Sequence, residues 1–414
     1  MDILLYIILA IVTAEFVLER VLDYLNQKNR SNALPENLKG IYDEEKYKKS
    51  QDYAAAKDKI GFISSVFSFI VTIAMILGGF AYIDNFVRGV TDNSIYQSLL
   101  FFAIIGVGSD LISTPFSLYN TFVIEEKFGF NKMKIGTFIG DKIKGWVLGA
   151  IIGGGLLYLF VLFYETFPDY FWLYAWGIFM AFTLLITMFY TNTIVPLFNK
   201  LTPLEDGELR SAIESYAASV NFPLKNIMVI DGSKRSTKAN AYFSGLGGSK
   251  NIVLYDTLIE KHSNEELVAV LAHEVGHYKK KHTLQGLFIS AFTMLLTLYV
   301  LSLVINNPAL SEALGASQPS LHLGLIAFTI LYSPLSTITG LLMNIFSRKN
   351  EFEADAYAAK TSSGKALMDA LKNLSVDTLS NLTPHNAYVF FYYSHPPLLK
   401  RLGALGNYVG EKQV

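Results

Sequence analysis

The stretch Leu271–His277 (LAHEVGH) places two histidines four residues apart at the end of an apolar run. The preceding residues Val268–Ala272 favour a buried helix. On a helix, His273 and His277 lie on one face, so both imidazoles can reach one ion. Glu274 is rotated by about 100° from His273 and can approach a metal-bound water without binding the ion. The H-E-x-x-H pattern therefore predicts a hydrolytic metal site with the two histidines as ligands and Glu274 as general base.

A catalytic zinc site needs a third protein ligand and an open position for water. The segment Arg348–Ala356 (RKNEFEADA) offers Glu351 and Asp355, four residues apart on a predicted helix. This spacing allows Glu351 to bind the ion while Asp355 hydrogen-bonds a ligating histidine. Glu353 is predicted to point away and to be solvated. The chain has no cysteine, which excludes thiolate ligands. The prediction is one Zn²⁺ per chain, bound by the two histidines and Glu351.

The segment Tyr393–Arg401 (YSHPPLLKR) carries a third group of polar side chains. His395 precedes two prolines, which suit a helix start, and Arg401 lies nearly two turns further on. Both are suitable donors to the oxyanion that forms during peptide hydrolysis. From the residues alone, a capped helix start is the favoured alternative. The other four histidines have no partner at ligand spacing and are predicted to be structural or solvated: His262, His282, His322 and His385.

The composition is that of a membrane protein, since 51% of the residues are hydrophobic and 17% are charged; soluble domains are about a quarter charged. The net charge of −1 gives no basic field for nucleic acid. A bilayer-crossing helix needs roughly 20 apolar residues. Seven stretches qualify: Ile3–Leu25, Ile60–Ile83, Ile95–Leu118, Trp146–Phe163, Phe171–Leu197, Leu284–Ile305 and Leu321–Phe346. Several polar groups within them favour a wet interior: Glu15, Glu19, Arg20, Asp110, Asn192 and Asn344.

The bias of Lys and Arg between connections predicts an outside N-terminus and a cytoplasmic C-terminus. Two polar segments, 199–283 and 347–414, then share the cytoplasmic side. The first is predicted to contain a helix, three strands and a capped helix start: Leu204–Val220, Ile227–Ile230, Ala241–Phe243, Ile252–Tyr255 and the capping box at Ser263. The predicted organisation is helices 1–5 (1–198), the H-E-x-x-H segment (199–283), helices 6 and 7 (284–346) and a C-terminal catalytic segment (347–414).

Together these motifs resemble the type I CAAX prenyl protease family of integral-membrane zinc metalloproteases. Beyond the two metal motifs, the resemblance rests on blocks spread over almost the whole chain: Phe122–Lys127, Gly129–Asn131, Pro196–Phe198, Leu201–Leu204, Gly232–Ser236, Asn240–Phe243, Ile252–Leu258 and Ser394–Pro397. The H-E-x-x-H motif alone is shared by unrelated zinc proteases, whereas the other blocks are specific.

The resemblance implies a mainly α, polytopic fold in which seven transmembrane helices surround a water-filled chamber, with a small α+β zincin-like domain. It implies zinc ligands at His273, His277 and Glu351, and the base at Glu274. It also implies transition-state or substrate contacts from His395 and Arg401. The substrate backbone is expected to pair with an edge strand at Asn240, Ala241 and Tyr242.

The implied partners are the lipid bilayer and a peptide or protein substrate, with or without a prenyl group. The expected location is a multi-pass position in a bacterial inner membrane, for a prokaryotic homologue, with the site on the cytoplasmic side; in a eukaryote it would be the ER membrane. Two other readings stay open. One is a heat-shock-type quality-control protease without a prenyl requirement, and the other is a transporter in which H-E-x-x-H is incidental.

Overall fold

The computed structural model describes residues 3–31, 33–245 and 250–411. The predicted segments 1–198, 199–283 and 347–414 each include a few residues outside these ranges. The described chain is mainly helical and carries one small sheet. Long helices form the part that crosses the membrane, and the sheet and shorter helices form a compact part beside it.

Five long helices come first: α1 Ile3–Lys28, α2 Glu44–Val90, α3 Ser94–Glu125, α4 Ile135–Thr166 and α5 Phe171–Thr193. Side-chain caps fix two of their starts, because Asp43 accepts from the Lys46 amide and Asn93 from the Tyr96 amide. Helices α2, α3 and α4 each include a π-helical segment: Met75–Gly79, Asn120–Glu125 and Gly149–Gly153.

The polar segment that follows folds around a four-stranded sheet: β1 Leu201–Pro203, β2 Leu224–Ile230, β3 Ala241–Ser244 and β4 Lys250–Tyr255. The strand order is β1-β2-β4-β3, with β2 parallel to β4 and the other pairs antiparallel. Strand β3 therefore lies at one edge. The predicted strands form, and β1 is an addition that hydropathy could not detect in three residues.

The remaining labelled helices are α6 Glu208–Ser219, α7 Asn264–Lys279, α8 His282–Val304, α9 Leu321–Thr361, α10 Gly364–Asp377, α11 Asn386–Tyr392 and α12 Leu398–Glu411. Short helical turns lie at Glu36–Leu38, Val195–Phe198, Gly232–Lys234, Asp256–Ile259 and Ala309–Glu312. The predicted capping box is present, since Ser263 and Glu266 each accept the other's backbone amide.

Helix α9 is longer than the predicted span Leu321–Phe346 because it continues without a break to Thr361. Hydropathy marks only the stretch that suits lipid, whereas the polar residues that follow are good helix formers without glycine or proline. The segment that carries Glu351 is therefore a rigid extension of a membrane helix.

Six helices in the described part of the chain are long and apolar enough to cross a membrane: α2, α3, α4, α5, α8 and α9. Helix α1 has 26 residues, which is long enough, but its apolar stretch is interrupted by Glu15, Glu19 and Arg20. The predicted number of seven is thus approximate. Glu15 is not left unpaired, because it accepts a hydrogen bond from Ser333 of α9.

Few residues of the crossing helices are buried within the protein. Only 6% to 11% of the most apolar window of each is buried, as expected of helices whose surface faces lipid. Asp110 of α3 accepts two hydrogen bonds from Lys142 of α4, each 2.7 Å long, and a third from Trp146. A charged pair on these helices calls for a polar surrounding rather than lipid. This ion pair agrees with the polar interior that the resemblance implies.

Candidate metal centre

Two helices bring the predicted ligands together. Helix α7 carries His273 and His277, and the extension of α9 carries Glu351. The two Nε2 atoms are 3.2 Å apart. Glu351 Oε1 lies 3.2 Å from His277 Nε2, and Glu351 Oε2 lies 3.5 Å from His273 Nε2. One ligand atom from each residue thus falls within 4.8 Å of the others, an arrangement that could hold a metal ion.

These distances fit a tetrahedral ion. Zinc binds imidazole nitrogen and carboxylate oxygen at about 2.0–2.2 Å, and two ligands of a tetrahedron with such bonds are separated by roughly 3.3–3.6 Å. Glu351 is 3% exposed, and its Oε2 accepts no hydrogen bond from the described residues. A buried carboxylate oxygen without a hydrogen bond is costly, and a cation between it and the histidines would remove that cost.

An ion-pair network of Asp355 and Arg401 contacts the ligands His273 and Glu351. His273 Nδ1 is 2.8 Å from Asp355 Oδ1, the contact that the sequence predicts for Asp355. Arg401 donates to both oxygens of this carboxylate, through Nε at 2.8 Å and an Nη at 2.6 Å. The other Nη of Arg401 lies 3.4 Å from Glu351 Oε2. Arg401 is buried and is largely occupied by these carboxylates, a role that the sequence did not suggest.

The network sets the charge of the buried groups. Burial lowers the pKa of His273, but its contact with Asp355 and the nearby Glu351 carboxylate outweigh this effect and raise the pKa to about 9. Burial also lowers the pKa of Arg401, and its hydrogen bonds to Asp355 and the nearby Glu351 outweigh that and raise it. A metal that binds His273 through Nε2 needs that nitrogen without a proton.

Two of the three ligands, His273 and Glu351, line a cavity of about 350 Å³. Glu274 lines this cavity beside the ligands, and His395 lies opposite with its Nε2 3.3 Å from Glu351 Oε1. The side chain of His395 is 64% exposed, and its Nδ1 lies 2.9 Å from Ser394 Oγ. Asn240 and Ala241, at the start of the edge strand β3, form another wall. The ring of Tyr242 packs instead in a separate apolar cluster with Val195 and Val253, so Tyr242 can offer the cavity only its backbone.

Sequence reasoning missed two groups at this site. His282 was predicted to be structural or solvated, without a partner at ligand spacing; it is buried, and its Nδ1 is 3.0 Å from His277 Nδ1. Glu353 was predicted to point away and to be solvated; its side chain is 38% exposed, and its Oε2 is 3.4 Å from His282 Nε2. The contact between His277 and His282 was missed because a sharp turn between α7 and α8 folds His282 back onto the helix before it. A positive φ at Lys281 produces that turn, and no hydropathy pattern indicates it.

The sequence also did not predict an ion pair that holds the segment just before the edge strand β3. Lys238, three residues before Ala241, donates to Glu125 Oε2 at 2.8 Å and to the Tyr53 hydroxyl at 3.0 Å. Tyr53 belongs to α2 and Glu125 to the end of α3. The strand beside the metal group is therefore tied to the membrane helices through a half-buried ion pair.

Two histidines and a glutamate with metal-ligand geometry, beside a carboxylate in a cavity, are what a metallopeptidase needs to activate water. In a chain whose helices cross a membrane, the class is an integral-membrane metalloendopeptidase. Comparison with known families narrows it further. Residues 203–409 match peptidase family M48, and residues 23–200 match the CAAX prenyl protease N-terminal domain with five membrane helices. The chain belongs to peptidase family M48 and has the N-terminal domain of CAAX prenyl proteases.

Individual relatives are similar over almost their whole length. CAAX prenyl protease 1 of Saccharomyces cerevisiae is 37% identical, with 97% of this chain and 94% of the relative covered. The human CAAX prenyl protease 1 homolog is 35% identical, with 90% and 88% covered. The crystal structure of S. mikatae Ste24p superposes with a TM-score of 0.92 at 36% identity, covering 98% of this chain and 99% of that one. The alternative of a transporter is not favoured by these matches.

Proposed function

We propose that this metalloendopeptidase is zinc-dependent and that it cleaves the carboxyl-terminal tails of prenylated proteins. The main support is the set of three ligand atoms, 3.2–3.5 Å apart, beside a cavity lined by His273, Glu351, Glu274 and the start of an edge strand. Cysteine ligands are excluded by composition, and two imidazoles with one carboxylate are a common donor set of catalytic zinc.

When bound, zinc would polarise the scissile carbonyl and lower the pKa of the attacking water. The carboxylate of Glu274 takes a proton from that water and passes it to the amine that leaves. His395 donates a hydrogen bond to the oxyanion, since its exposed ring points into the same cavity. Arg401 acts through its contacts with Asp355 and Glu351, which hold His273 and the carboxylate ligand in place.

The substrate binds as an extended strand. Strand β3 pairs only with β4 within the described sheet, so its outer edge is free to accept a further strand. Asn240, Ala241 and the backbone of Tyr242 would pair with the peptide on the cavity side. The same cavity has an apolar wall, formed by Leu258, Val270, Leu367, Leu371 and Leu374, which suits the aliphatic side chains of a tail.

Support for a prenylated substrate comes from the relatives that are named CAAX prenyl proteases. The test uses one tail peptide in two forms, with a farnesylated or an unmodified cysteine, and the purified protein in lipid nanodiscs. We expect the farnesylated peptide to be cleaved more than ten times faster. Equal rates would reject the prenyl requirement and favour a quality-control protease. The Glu274→Gln variant run in parallel excludes a contaminating peptidase.

We also propose that the site faces the cytoplasm, because the connections rich in Lys and Arg lie on its side of the membrane. The chain has no cysteine, so a single introduced cysteine is a clean label. Glu265 and Gln318 are both exposed and lie on opposite sides in this topology. A membrane-impermeant thiol reagent added to intact cells should label Gln318→Cys and leave Glu265→Cys unlabelled. The reverse pattern would invert the proposed orientation.

A further inference from the structure

Both ligating histidines use Nδ1, the ring nitrogen away from the ligand group, to contact another side chain. The sequence motifs predict this contact for His273 but not for His277. Each turns Nε2 toward Glu351 and Nδ1 away from it. The outward Nδ1 of His273 meets Asp355 at 2.8 Å. The outward Nδ1 of His277 meets His282 Nδ1 at 3.0 Å, with the two rings inclined at 73°. His282 therefore contacts His277 at the same ring nitrogen at which Asp355 contacts His273.

A tight backbone turn between α7 and α8 brings His282 next to His277. Helix α7 ends at Lys279, α8 begins at His282, and Lys281 between them has φ 60° and ψ 28°. A non-glycine residue in the left-handed region is uncommon and costs conformational free energy. Hydrogen bonds from the Lys280 amide to Gly276 O and from the Lys281 amide to Tyr278 O fix the turn. The turn places a nearly buried imidazole against the back of His277.

Metal binding decides where the protons of this pair lie. If Nε2 of His277 binds the ion, the remaining ring hydrogen must be on Nδ1. That N–H donates to His282 Nδ1, which must then be the acceptor. The hydrogen of His282 is left on Nε2, which faces Glu353 Oε2 at 3.4 Å. Each contact in the row His277–His282–Glu353 therefore pairs one hydrogen-bond donor with one acceptor.

We propose that His282 is a positioning residue that fixes the orientation and the tautomer of His277, and that Glu353 extends this row of hydrogen bonds to the protein surface. The side chain of His282 is 5% exposed and that of Glu353 is 38% exposed, so the row leads from a buried ligand to solvent. Partners of this kind typically change metal affinity by 10–100-fold when they are removed. The inference rests on the proposed metal site, because it concerns how one of its ligands is held.

The experiment measures the zinc affinity of the full-length protein in detergent by competition with a chromophoric chelator, for three substitutions at one position. His282→Ala removes the acceptor. His282→Asn restores an acceptor, because the Asn Oδ1 lies about where the His Nδ1 lies, whereas His282→Gln places its polar atoms nearer the position of Nε2. His262→Ala, at another buried histidine of the same part of the chain, is the matched control.

We expect His282→Ala and His282→Gln to weaken zinc binding by about 10–100-fold, and His282→Asn and His262→Ala to stay close to the unaltered protein. The visible spectrum of the Co²⁺-substituted protein should shift with His282→Ala and not with His282→Asn. Glu353→Gln, at a half-exposed position that tolerates substitution, should weaken zinc binding in the same direction but less. Helical circular dichroism shows whether each variant is folded.

Three outcomes reject the inference, the first two entirely and the third for Glu353. Unchanged zinc affinity in a folded His282→Ala variant means that His277 needs no partner. Equal losses in the Ala, Asn and Gln variants mean that packing, and not an acceptor at Nδ1, is what His282 supplies. An unchanged Glu353→Gln variant rejects the extension to the surface. If the unaltered protein itself binds no zinc, the proposed function fails, which is a distinct result.

Discussion

Gly276 of α7 lies directly against the backbone of Ala354 in α9. A Cβ at Gly276 would meet both the Cα and the carbonyl oxygen of Ala354 at 3.0 Å, and the Cβ of Tyr357 at 3.2 Å. These contacts are tighter than ordinary packing allows, and two of them involve backbone that cannot rotate away. The glycine within H-E-x-x-H therefore sets the distance between the helix with two ligands and the helix with the third.

Gly276→Ala should consequently push α9 away from α7. We expect a loss of about 1–3 kcal/mol in the free energy of unfolding, the usual cost of overpacking, together with weaker zinc binding because Glu351 moves with α9. The control is Gly286→Ala, in α8, where a Cβ meets nothing within 4 Å. Thermal unfolding and zinc titration of both variants check this. A Gly276→Ala protein that binds zinc normally would show that the close approach is not needed.

Glu351→Ala should remove most of the metal. The variant keeps two imidazoles but loses the only carboxylate in the ligand group of the described residues, and two ligands bind zinc much more weakly than three. Zinc content by mass spectrometry should fall from about one per chain to a small fraction. Glu265→Gln, at an exposed position in the first turn of the same α7, should keep full zinc content. Full content in Glu351→Ala would mean that another residue is the third ligand.

Asp355→Asn should separate stability from metal binding. Asp355 and Arg401 are both buried, and removing one charge of a buried pair typically costs about 3–5 kcal/mol, because Arg401 loses both hydrogen bonds to the Asp355 carboxylate and its remaining carboxylate contact, with Glu351, is 3.4 Å long. Adding Arg401→Gln to Asp355→Asn removes that poorly paired charge and should recover part of the stability. Zinc affinity should stay low in both, since His273 lacks its carboxylate partner in each. A double variant no more stable than Asp355→Asn would contradict the ion-pair account.

The sequence predicts those site residues whose positions depend only on helix periodicity. His273, His277 and Glu274 follow from positions on one helix, and the spacing of Glu351 and Asp355 places both on one face of another. Their meeting follows once both segments are assigned to the same side of the membrane. The capping box at Ser263 is equally local, and the structure contains it.

The contacts that the sequence does not predict depend on turns and on packing between distant segments. His282 reaches His277 only because Lys281 adopts a left-handed conformation. Arg401 meets Asp355 because α12 packs against α9, and no periodic pattern indicates which acid an arginine far along the chain will pair with. The unbroken α9 was missed for another reason, since hydropathy locates the crossing and not the end of the helix.

Access to the site should restrict the substrate to flexible chain. The metal ligands are largely buried, and the cavity before them has a volume of only about 350 Å³, which admits an extended segment but no folded domain. The test is one cleavage sequence presented twice, on a flexible tail and inside a stable folded domain. We expect cleavage of the tail and almost none of the domain. Equal rates would reject the enclosed site while leaving the metal chemistry unaffected.

Glu274 is the proposed general base of a zinc peptidase, and the zinc content and turnover of Glu274→Gln, measured side by side, test this role. The amide keeps the size of the side chain but cannot take a proton from water. We predict about one zinc per chain, as in the unaltered protein, and a rate of tail-peptide cleavage lower by roughly 10²–10⁴-fold or more. Near-normal cleavage by a fully zinc-loaded Glu274→Gln protein would contradict the account.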